Sequence, residues 1–435
     1  MAGGRARSAA DPRRRCVGAR FLSARGGRPD AAAHPAAADP ALIDRRSLLA
    51  AGAAFLATPL RAAETLAIAE FRAIERARVL PRAVPLLRQK PRTITAIPAP
   101  RSPAGPHDYY SEGDYWWPDP ARPGGPYVRR DGLSNPDKFD GHRDALIAFG
   151  VAVPTLTSAW ALTGDRRFAA AAIRHLEAWF VTPETRMNPN LAHAQAIIGV
   201  NSGRAIGIID TLQIVEVARA AEMLARRDAP GYRRIRSRVE AWFAAYLDWL
   251  TGSPAGREER DQKNNHGTCW LLQVAAFASL LGRADLLAAM RTRLMKTIVP
   301  AQIAADGRQP LELARTKPFA YSLFNLDVLA ASAWLLSHSR GELIVQPTAS
   351  GASIADAIAF MAPFIADRTR WPFARDVEHF DDFPVRHPSL LFGALAQDRA
   401  EWLALWRALD ADPTVAEVVR NYPVRQPLLW MDQTL

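Results

Sequence analysis

HLEAWF at residues 175–180 and RVEAWF at residues 238–243 each follow a basic run in a segment whose apolar residues recur at i, i+3 and i+4. That spacing places the apolar side chains on one face of an α-helix. TGD at residues 163–165 and APG at residues 229–231 precede these segments, and Gly, Pro and Asp commonly separate helices. The two stretches hint at repeated helical hairpins, although they do not form a clean sequence repeat.

The same helical spacing continues outward in both directions, without strand alternation over any long segment. Successive antiparallel helices joined by short links form either a solenoid or a closed toroid. Several polar motifs fall near predicted helix ends, and a toroid would gather them at one mouth. The predicted helical segments are residues 64–80, 142–163, 165–181, 203–227, 230–251, 266–282, 284–305, 322–338, 352–367 and 397–410.

Two stretches near the start of this region lack helical spacing. Residues 81–106 are rich in Pro and predict extended backbone, whereas residues 107–140 carry many Tyr, Trp, Pro and Gly and predict a long, irregular loop. Long loops without secondary structure are uncommon in compact domains and are often functional.

The N-terminal 63 residues have the pattern of an export signal. Residues 1–40 lack hydrophobic periodicity and indicate a disordered arm or an over-extended gene start. Asp44-Arg45-Arg46 then precedes a short apolar run and a small-residue exit near Ala62, which resembles a twin-arginine signal peptide. The alternative is a disordered arm followed by a first helix. We expect export to the periplasm, with possible secretion, and a single domain over residues 64–435.

Charge and composition narrow the classes of partner. Residues 1–62 hold eleven Arg and four acidic residues, so they supply +7 of the formal charge of +11 and leave a mildly basic body. We find no Lys/Arg stripe interleaved with aromatic residues and therefore expect no nucleic-acid partner. We also find no further run long and apolar enough to cross a membrane, and expect no stable membrane insertion. Cys16 and Cys269 do not predict a disulfide in the exported protein.

The first polar cluster is KNNHGTCW at residues 263–270, directly before an apolar helical segment. One Asn is well explained as a helix N-cap. Asn264, Asn265 and His266 together point further, because a helix N-terminus attracts anions and these side chains could bind a sugar carboxylate.

The second cluster is DGRQPLELAR at residues 306–315, followed by FAYS at residues 319–322. Arg315 is a candidate carboxylate ligand because its planar guanidinium can bind both oxygens. Tyr321 lies six residues later, within reach of the same pocket. Taken singly, these residues are better explained by a surface ion pair and a core tyrosine.

Two further clusters are candidate substrate-binding segments. Aromatic side chains in a polar loop could stack on sugars or form a lid, or could simply pin the loop to the body. Polar residues at a helix junction could bind substrate or serve as turn and cap residues. With Asn264, the candidates from these clusters are Tyr115, Trp116, Trp117, Asn190, His193, Gln195 and Arg204.

The order and spacing of four blocks resemble the alginate lyase family. The blocks are DYYSEGDYWWPDP, TRMNPNLAHAQA with NSGRAIGIID, KNNHGTCW, and DGRQPLELART with FAYS and FNLDVL. The resemblance implies an all-α fold, an (α/α) toroid or incomplete barrel of helical hairpins with a central cleft. It also implies β-elimination in a uronate polymer such as polymannuronate, an anionic polysaccharide as partner, and no cofactor or metal.

By motif, the resemblance assigns the four catalytic roles to Asn265, His266, Arg315 and Tyr321. The first three would neutralise the uronate carboxylate, and Tyr321 would take the C5 proton with its pKa lowered by the nearby Arg and imidazole. His266 would replace Tyr321 as the base for the other C5 epimer.

Two alternative functions remain open from the sequence. A glycoside hydrolase needs a pair of carboxylates, for which Glu112, Asp114, Glu312 and Asp376 are candidates. A polyuronate-binding protein would keep the cleft without the chemistry. Residues 371–388 could close the cleft or cap the toroid; a metal site at His379 and His387 is less favoured, because ligands must converge. The oligomeric state cannot be predicted.

Overall fold

Helices make up most of the computed structural model, which describes residues 68–431. The predicted arm and export signal lie outside the described residues, so they and the periplasmic location stay predictions. The α-helices of the described part are α1 (Ile68–Leu86), α2 (Gly141–Thr163), α3 (Arg166–Phe180), α4 (Val215–Arg226), α5 (Arg236–Gly252), α6 (Pro254–Arg260), α7 (Asn265–Leu280), α8 (Ala284–Arg293), α9 (Val299–Gln302), α10 (Pro310–Leu313), α11 (Pro318–Leu336), α12 (Glu342–Val345), α13 (Ile354–Ala366), α14 (Pro388–Gln397), α15 (Ala400–Ala408), α16 (Ala416–Arg420) and α17 (Leu428–Met431).

The helices form an inner row and an outer layer. Helices α2, α4, α7, α11 and α14 pack against one another in that order, while α1 and α3 cover α2, α8 covers α7 and α15 covers α14. Helices α2, α7 and α11 are apolar on nearly every face because neighbours surround them. This alternation confirms the predicted all-α (α/α) toroid.

Two of these inner helices correct one prediction. By length and composition alone, α2 and α11 are apolar enough to cross a membrane, contrary to our reading of the sequence. Their most apolar windows are, however, 78% and 89% buried inside the protein. Their apolar character therefore serves the core.

The two similar stretches at residues 175–180 and 238–243 pack against each other. Phe180 on α3 lies with its ring centroid 4.3 Å from Trp242 and 5.1 Å from Phe243 on α5. Trp179 stacks on Phe149 of α2 at 4.6 Å. Aromatic pairs of this kind contribute about 0.5–1.5 kcal/mol each beyond their buried area. The AWF pattern therefore joins two outer helices to the inner row.

Proline accounts for several boundary errors. We predicted extended backbone from Pro81, but α1 continues through Pro81 and Pro85 to Leu86. Helices α6, α10, α11 and α14 begin at Pro254, Pro310, Pro318 and Pro388, where the missing N–H is one that a helix start leaves unpaired anyway. The predicted segments lack α6, α10 and α14 and begin α11 four residues late.

Short strands order the loop that precedes α2. Strand β1 (Tyr110–Glu112) pairs in parallel with β4 (His193–Ala196), and β2 (Trp116–Trp117) pairs antiparallel with β3 (Val128–Arg129). A 3₁₀ helix at Ala205–Ile214 then leads into α4. These pairings bring the aromatic loop beside the polar segment at residues 193–204.

Candidate active site

A cleft of about 390 Å³ opens where the loop, the polar segment and the starts of α7 and α11 meet. Nine of the twelve predicted site residues line it. They are Tyr115, Trp116, Gln195, Arg204, Asn264, Asn265, His266, Arg315 and Tyr321. Residues from four separate parts of the chain therefore converge at one place, although their individual roles stay predictions.

The start of α7 holds the Asn pair in a fixed orientation. Asn264 is the N-cap, and its side-chain oxygen accepts from the backbone N–H of His266 at 3.3 Å. Asn265 is 2% exposed and donates from its backbone N–H and its Nδ2 to the two carboxylate oxygens of Glu312, both at 2.8 Å. Burial raises the pKa of Glu312, and the bonds from Asn265 oppose that rise. Glu312 thus determines where the Asn265 amide points.

His266 stands on a second buried carboxylate. Its Nδ1 lies 2.7 Å from Oε1 of Glu259, which belongs to α6 and is completely buried. Burial raises the pKa of Glu259, and the imidazole opposes that rise. The ring itself reaches the cleft, with 18% of its side chain exposed.

Tyr321 lies between an arginine and a second tyrosine. Its hydroxyl is 3.4 Å from Nη2 of Arg315 and 2.6 Å from the hydroxyl of Tyr115, and the Arg315 guanidinium lies 4.4 Å from the centre of its ring. We predicted a lowered pKa for Tyr321, but burial raises it, and Arg315 and the Tyr115 hydroxyl only oppose that rise. The prediction counted the neighbouring cations and could not count the burial.

A chain of alternating charges forms the floor of the cleft. Asp114 accepts from Arg143 of α2 and from Arg420 of α16, both at 2.6 Å. Arg143 is also 3.4 Å from Asp210. Burial raises the pKa of Asp114, but these arginines and Lys138 outweigh it and hold that pKa below its usual range.

The wall opposite α7 is built around Gln195. This residue has a left-handed backbone (φ 51), a conformation that costs energy unless its surroundings fix it. Its N–H bonds the Ser111 hydroxyl, its amide bonds Asp210, and its two oxygens accept from Arg204. Arg204 in turn lies 5.8 Å over the ring of Trp116. This wall therefore places the guanidinium of Arg204, fixed by Gln195, beside the ring of Trp116.

Three predicted substrate-binding residues lie outside the cleft lining. The indole N–H of Trp117 bonds the Leu133 carbonyl, and Arg130 lies over its ring. Asn190 caps a turn by accepting from the N–H of Ala192. His193 contacts the Ser202 carbonyl at 3.3 Å. These contacts match the turn and packing alternatives that the sequence left open.

The four carboxylates considered for a hydrolase are all engaged by neighbouring donors. Glu312 is held by Asn265 and Asp114 by two arginines, as described above. Glu112 accepts from Arg101, Tyr110 and the N–H of Phe139, and Asp376 accepts from the N–H groups of Phe319 and Ala320 at the start of α11. No two of these four carboxylates therefore form a free acid–base pair across the cleft.

The two histidines of residues 371–388 have separate structural partners. His387 is buried and bonds Asp327 of α11 at 2.7 Å, whereas His379 bonds Asp382 near the surface at 2.8 Å. Across residues 68–431, no group of three or more His, Cys, Asp or Glu side chains is arranged to hold a metal ion.

Sequence reasoning missed several residues of the site. Glu259 lies behind His266, and the cleft is also lined by Arg129, Glu417, Arg420 and Asn421. The last three come from the C-terminal end, about a hundred residues beyond Tyr321 in the printed sequence. No local motif marks them, because only the tertiary fold brings α16 to the cleft.

Comparison with known proteins places this geometry in a family. The model of the alginate lyase family matches residues 93–371. A solved alginate lyase from Bacteroides ovatus is 30% identical, with a TM-score of 0.71 over 82% of this chain and 93% of that chain. Alginate lyase A1-III from Sphingomonas species A1 is 16% identical, with a TM-score of 0.46 over 75% and 86% of the two chains. No curated protein sequence matches. The chain belongs to the alginate lyase family and is a polysaccharide lyase.

Proposed function

We propose that this lyase cleaves the mannuronate-rich stretches of alginate by β-elimination. The observation that carries the proposal is the convergence of Asn265, His266, Arg315 and Tyr321 on one cleft, with the Tyr321 hydroxyl 3.4 Å from the guanidinium of Arg315. A carboxylate ligand and a proton acceptor so close together suit removal of the proton next to a carboxylate. The basic groups of the wall, Arg129 and Arg204, suit the neighbouring uronates of an anionic polymer.

The reaction begins with neutralisation of the uronate carboxylate at the cleavage point. Arg315, Asn265 and His266 are the donors, and their stabilisation of the developing negative charge is the largest contribution to catalysis. Tyr321 reacts as the phenolate and takes the C5 proton, the C4–O bond breaks as the C4=C5 double bond forms, and the same proton passes from Tyr321 to the leaving oxygen, which regenerates the phenolate. Tyr115 stabilises the Tyr321 oxygen while it carries negative charge, because its hydroxyl is 2.6 Å away.

Ultraviolet absorbance of the unsaturated product tests this function. The full-length protein, incubated with polymannuronate, should give rising absorbance, and Tyr321→Phe should lower the rate by about a hundredfold or more, within the usual range for loss of an acid–base group. Tyr127→Phe, a matched change in the loop before α2, should leave the rate unchanged.

Other outcomes separate the alternatives. A rise with polyguluronate alone would reassign the epimer. New reducing ends without absorbance would overturn the elimination, and binding without either product would leave a polyuronate-binding protein.

A further inference from the structure

Glu259 is a buried carboxylate whose position needs an explanation. It is completely buried, and its Oε2 has no hydrogen-bond partner among the described residues. Its Oε1 bonds one side chain, that of His266. Burying a carboxylate costs several kcal/mol unless it is well paired. By contrast, both carboxylate oxygens of Glu312 accept hydrogen bonds from Asn265.

The contact fixes which ring nitrogen of His266 faces the cleft. Nδ1 is bound by Glu259, so Nε2 is the nitrogen left to meet substrate. The hydrogen bond and charge of His266 favour the ionised form of Glu259 against burial, and an ionised carboxylate accepts a hydrogen bond but cannot donate one, so Nδ1 carries the proton. The same arrangement orients imidazoles in acid–base dyads and metal sites.

We infer that Glu259 is a positioning residue that keeps Nδ1 of His266 protonated, so that His266 gains and loses its functional proton only at Nε2. The inference deepens the proposed lyase function, because the neutral ring then offers Nε2 as an acceptor and the charged ring offers Nε2–H to the uronate carboxylate. Either form is aimed at the substrate without a ring flip.

The surroundings of the pair are mostly acidic. Glu258 on α6 and Asp210 on the neighbouring 3₁₀ helix raise the pKa of Glu259. Glu312, which is bonded to Asn265, interacts electrostatically with Arg315 and His266. The Cys269 thiol is close to Glu259 and Glu312. Burial raises the pKa of this thiol, so it stays neutral. The acidic neighbours Glu258 and Asp210 raise the pKa of Glu259 and supply no hydrogen-bond donor to it. His266 is therefore the group that stabilises the ionised form of Glu259.

Nitrogen-15 NMR of the ring, in protein labelled at histidine and assigned with His266→Gln, tests the inference directly. Nδ1 of His266 should keep the chemical shift of a protonated nitrogen from about pH 6 to pH 9, and any change with pH should appear at Nε2. In Glu259→Gln this preference should be lost, because the amide can either donate or accept. Asp248→Asn, which changes an exposed acid of α5 that does not act on Glu259, should leave both shifts unchanged.

Kinetics on polymannuronate give a second readout. Glu259→Gln should lower kcat by about tenfold to a hundredfold, as expected when a reacting group is misplaced, with KM within about twofold of the parent value. Asp248→Asn should behave like the parent. A protonated Nε2 and bare Nδ1 in the parent protein would overturn the inference, as would an unchanged kcat in Glu259→Gln. Failure of the proposed function differs, since the absorbance assay would then be silent in the parent while the NMR result could still hold.

Discussion

The Tyr115 hydroxyl lies 2.6 Å from that of Tyr321 and is the closest donor to the proposed base. Burial raises the pKa of Tyr321, and the hydrogen bond from Tyr115 opposes this rise. Tyr115→Phe should therefore raise that pKa further and lower kcat/KM near neutral pH by about tenfold or more, because a hydrogen bond to a charged group is worth about 1.5–3 kcal/mol. The acid limb of the pH profile should move to higher pH.

Tyr127→Phe is the matched control for this change, since Tyr127 lies in the same loop but does not line the cleft. Its pH profile should coincide with that of the parent. If the acid limb of Tyr115→Phe stays where it was, Tyr115 does not act on the base and only fills space.

Sequence motifs could predict the residues that would contact substrate, but they could not predict the residues that position those side chains. Asn265, His266, Arg315 and Tyr321 stand in short, recognisable blocks and lie together in the cleft. Glu259 precedes His266 by seven residues in the charged stretch GREER, which lies outside the predicted helices. The burial of Glu259 distinguishes it from a surface acid, and this burial depends on the packing of α6 against α7. The raised pKa of Tyr321 escaped prediction for the same reason.

Asp114 fixes the loop before α2 to α2 itself and to the distant helix α16. Removing its charge by Asp114→Asn would leave the buried Arg143 and the half-buried Arg420 without their shared partner. We expect a loss of about 3–5 kcal/mol in the free energy of unfolding at pH 7. Because the folded-state pKa is lowered, this contribution is present above the unfolded pKa of about 4 and is lost as pH falls below it.

Thermal unfolding of both proteins across pH measures this effect. The gap in Tm should be wide at pH 7 and should narrow steadily below about pH 4. Asp137→Asn changes an exposed acid of the same loop and should have little effect at any pH. An equal gap at pH 7 and pH 3 would show that the carboxylate charge is not what holds the loop.

Elements could be predicted where the pattern is local and long. Periodicity found α2, α3, α7 and α13 to within two residues at each end, and it began α5 six residues early. It could not find the pairing of β1 with β4, because these strands are only three and four residues long and lie some eighty residues apart. It also merged the 3₁₀ helix at Ala205–Ile214 with α4, since both bury apolar residues at similar spacing.

The C-terminal segment links the stability of the toroid to the shape of the cleft. Helix α17 packs against α2 and α4, and Glu216 of α4 accepts from the N–H groups of Arg425 and Gln426 and from the indole of Trp430. The same segment carries α16, whose Glu417 and Arg420 line the cleft. Loss of the contacts that Glu216 makes with this C-terminal segment should therefore disturb substrate binding as well as folding.

Trp430→Ala tests this coupling. Trp430 is 2% exposed, and truncating a buried Trp costs about 3–5 kcal/mol. We also expect kcat/KM, measured per folded molecule, to fall by about tenfold or more, because α16 would no longer hold Arg420 against Asp114 and a shift of about 1 Å can cost a hundredfold. Denaturant unfolding and the absorbance assay measure the two effects.

Trp402→Ala is the matched control, because Trp402 is also buried, at 4% exposed, but lies on α15 of the outer layer. It should lose stability to a similar extent and keep the parent kcat/KM at temperatures where it is folded. If both variants lose activity equally, general softening of the toroid explains the effect. If Trp430→Ala alone loses activity, the C-terminal anchor is part of the machinery that shapes the cleft.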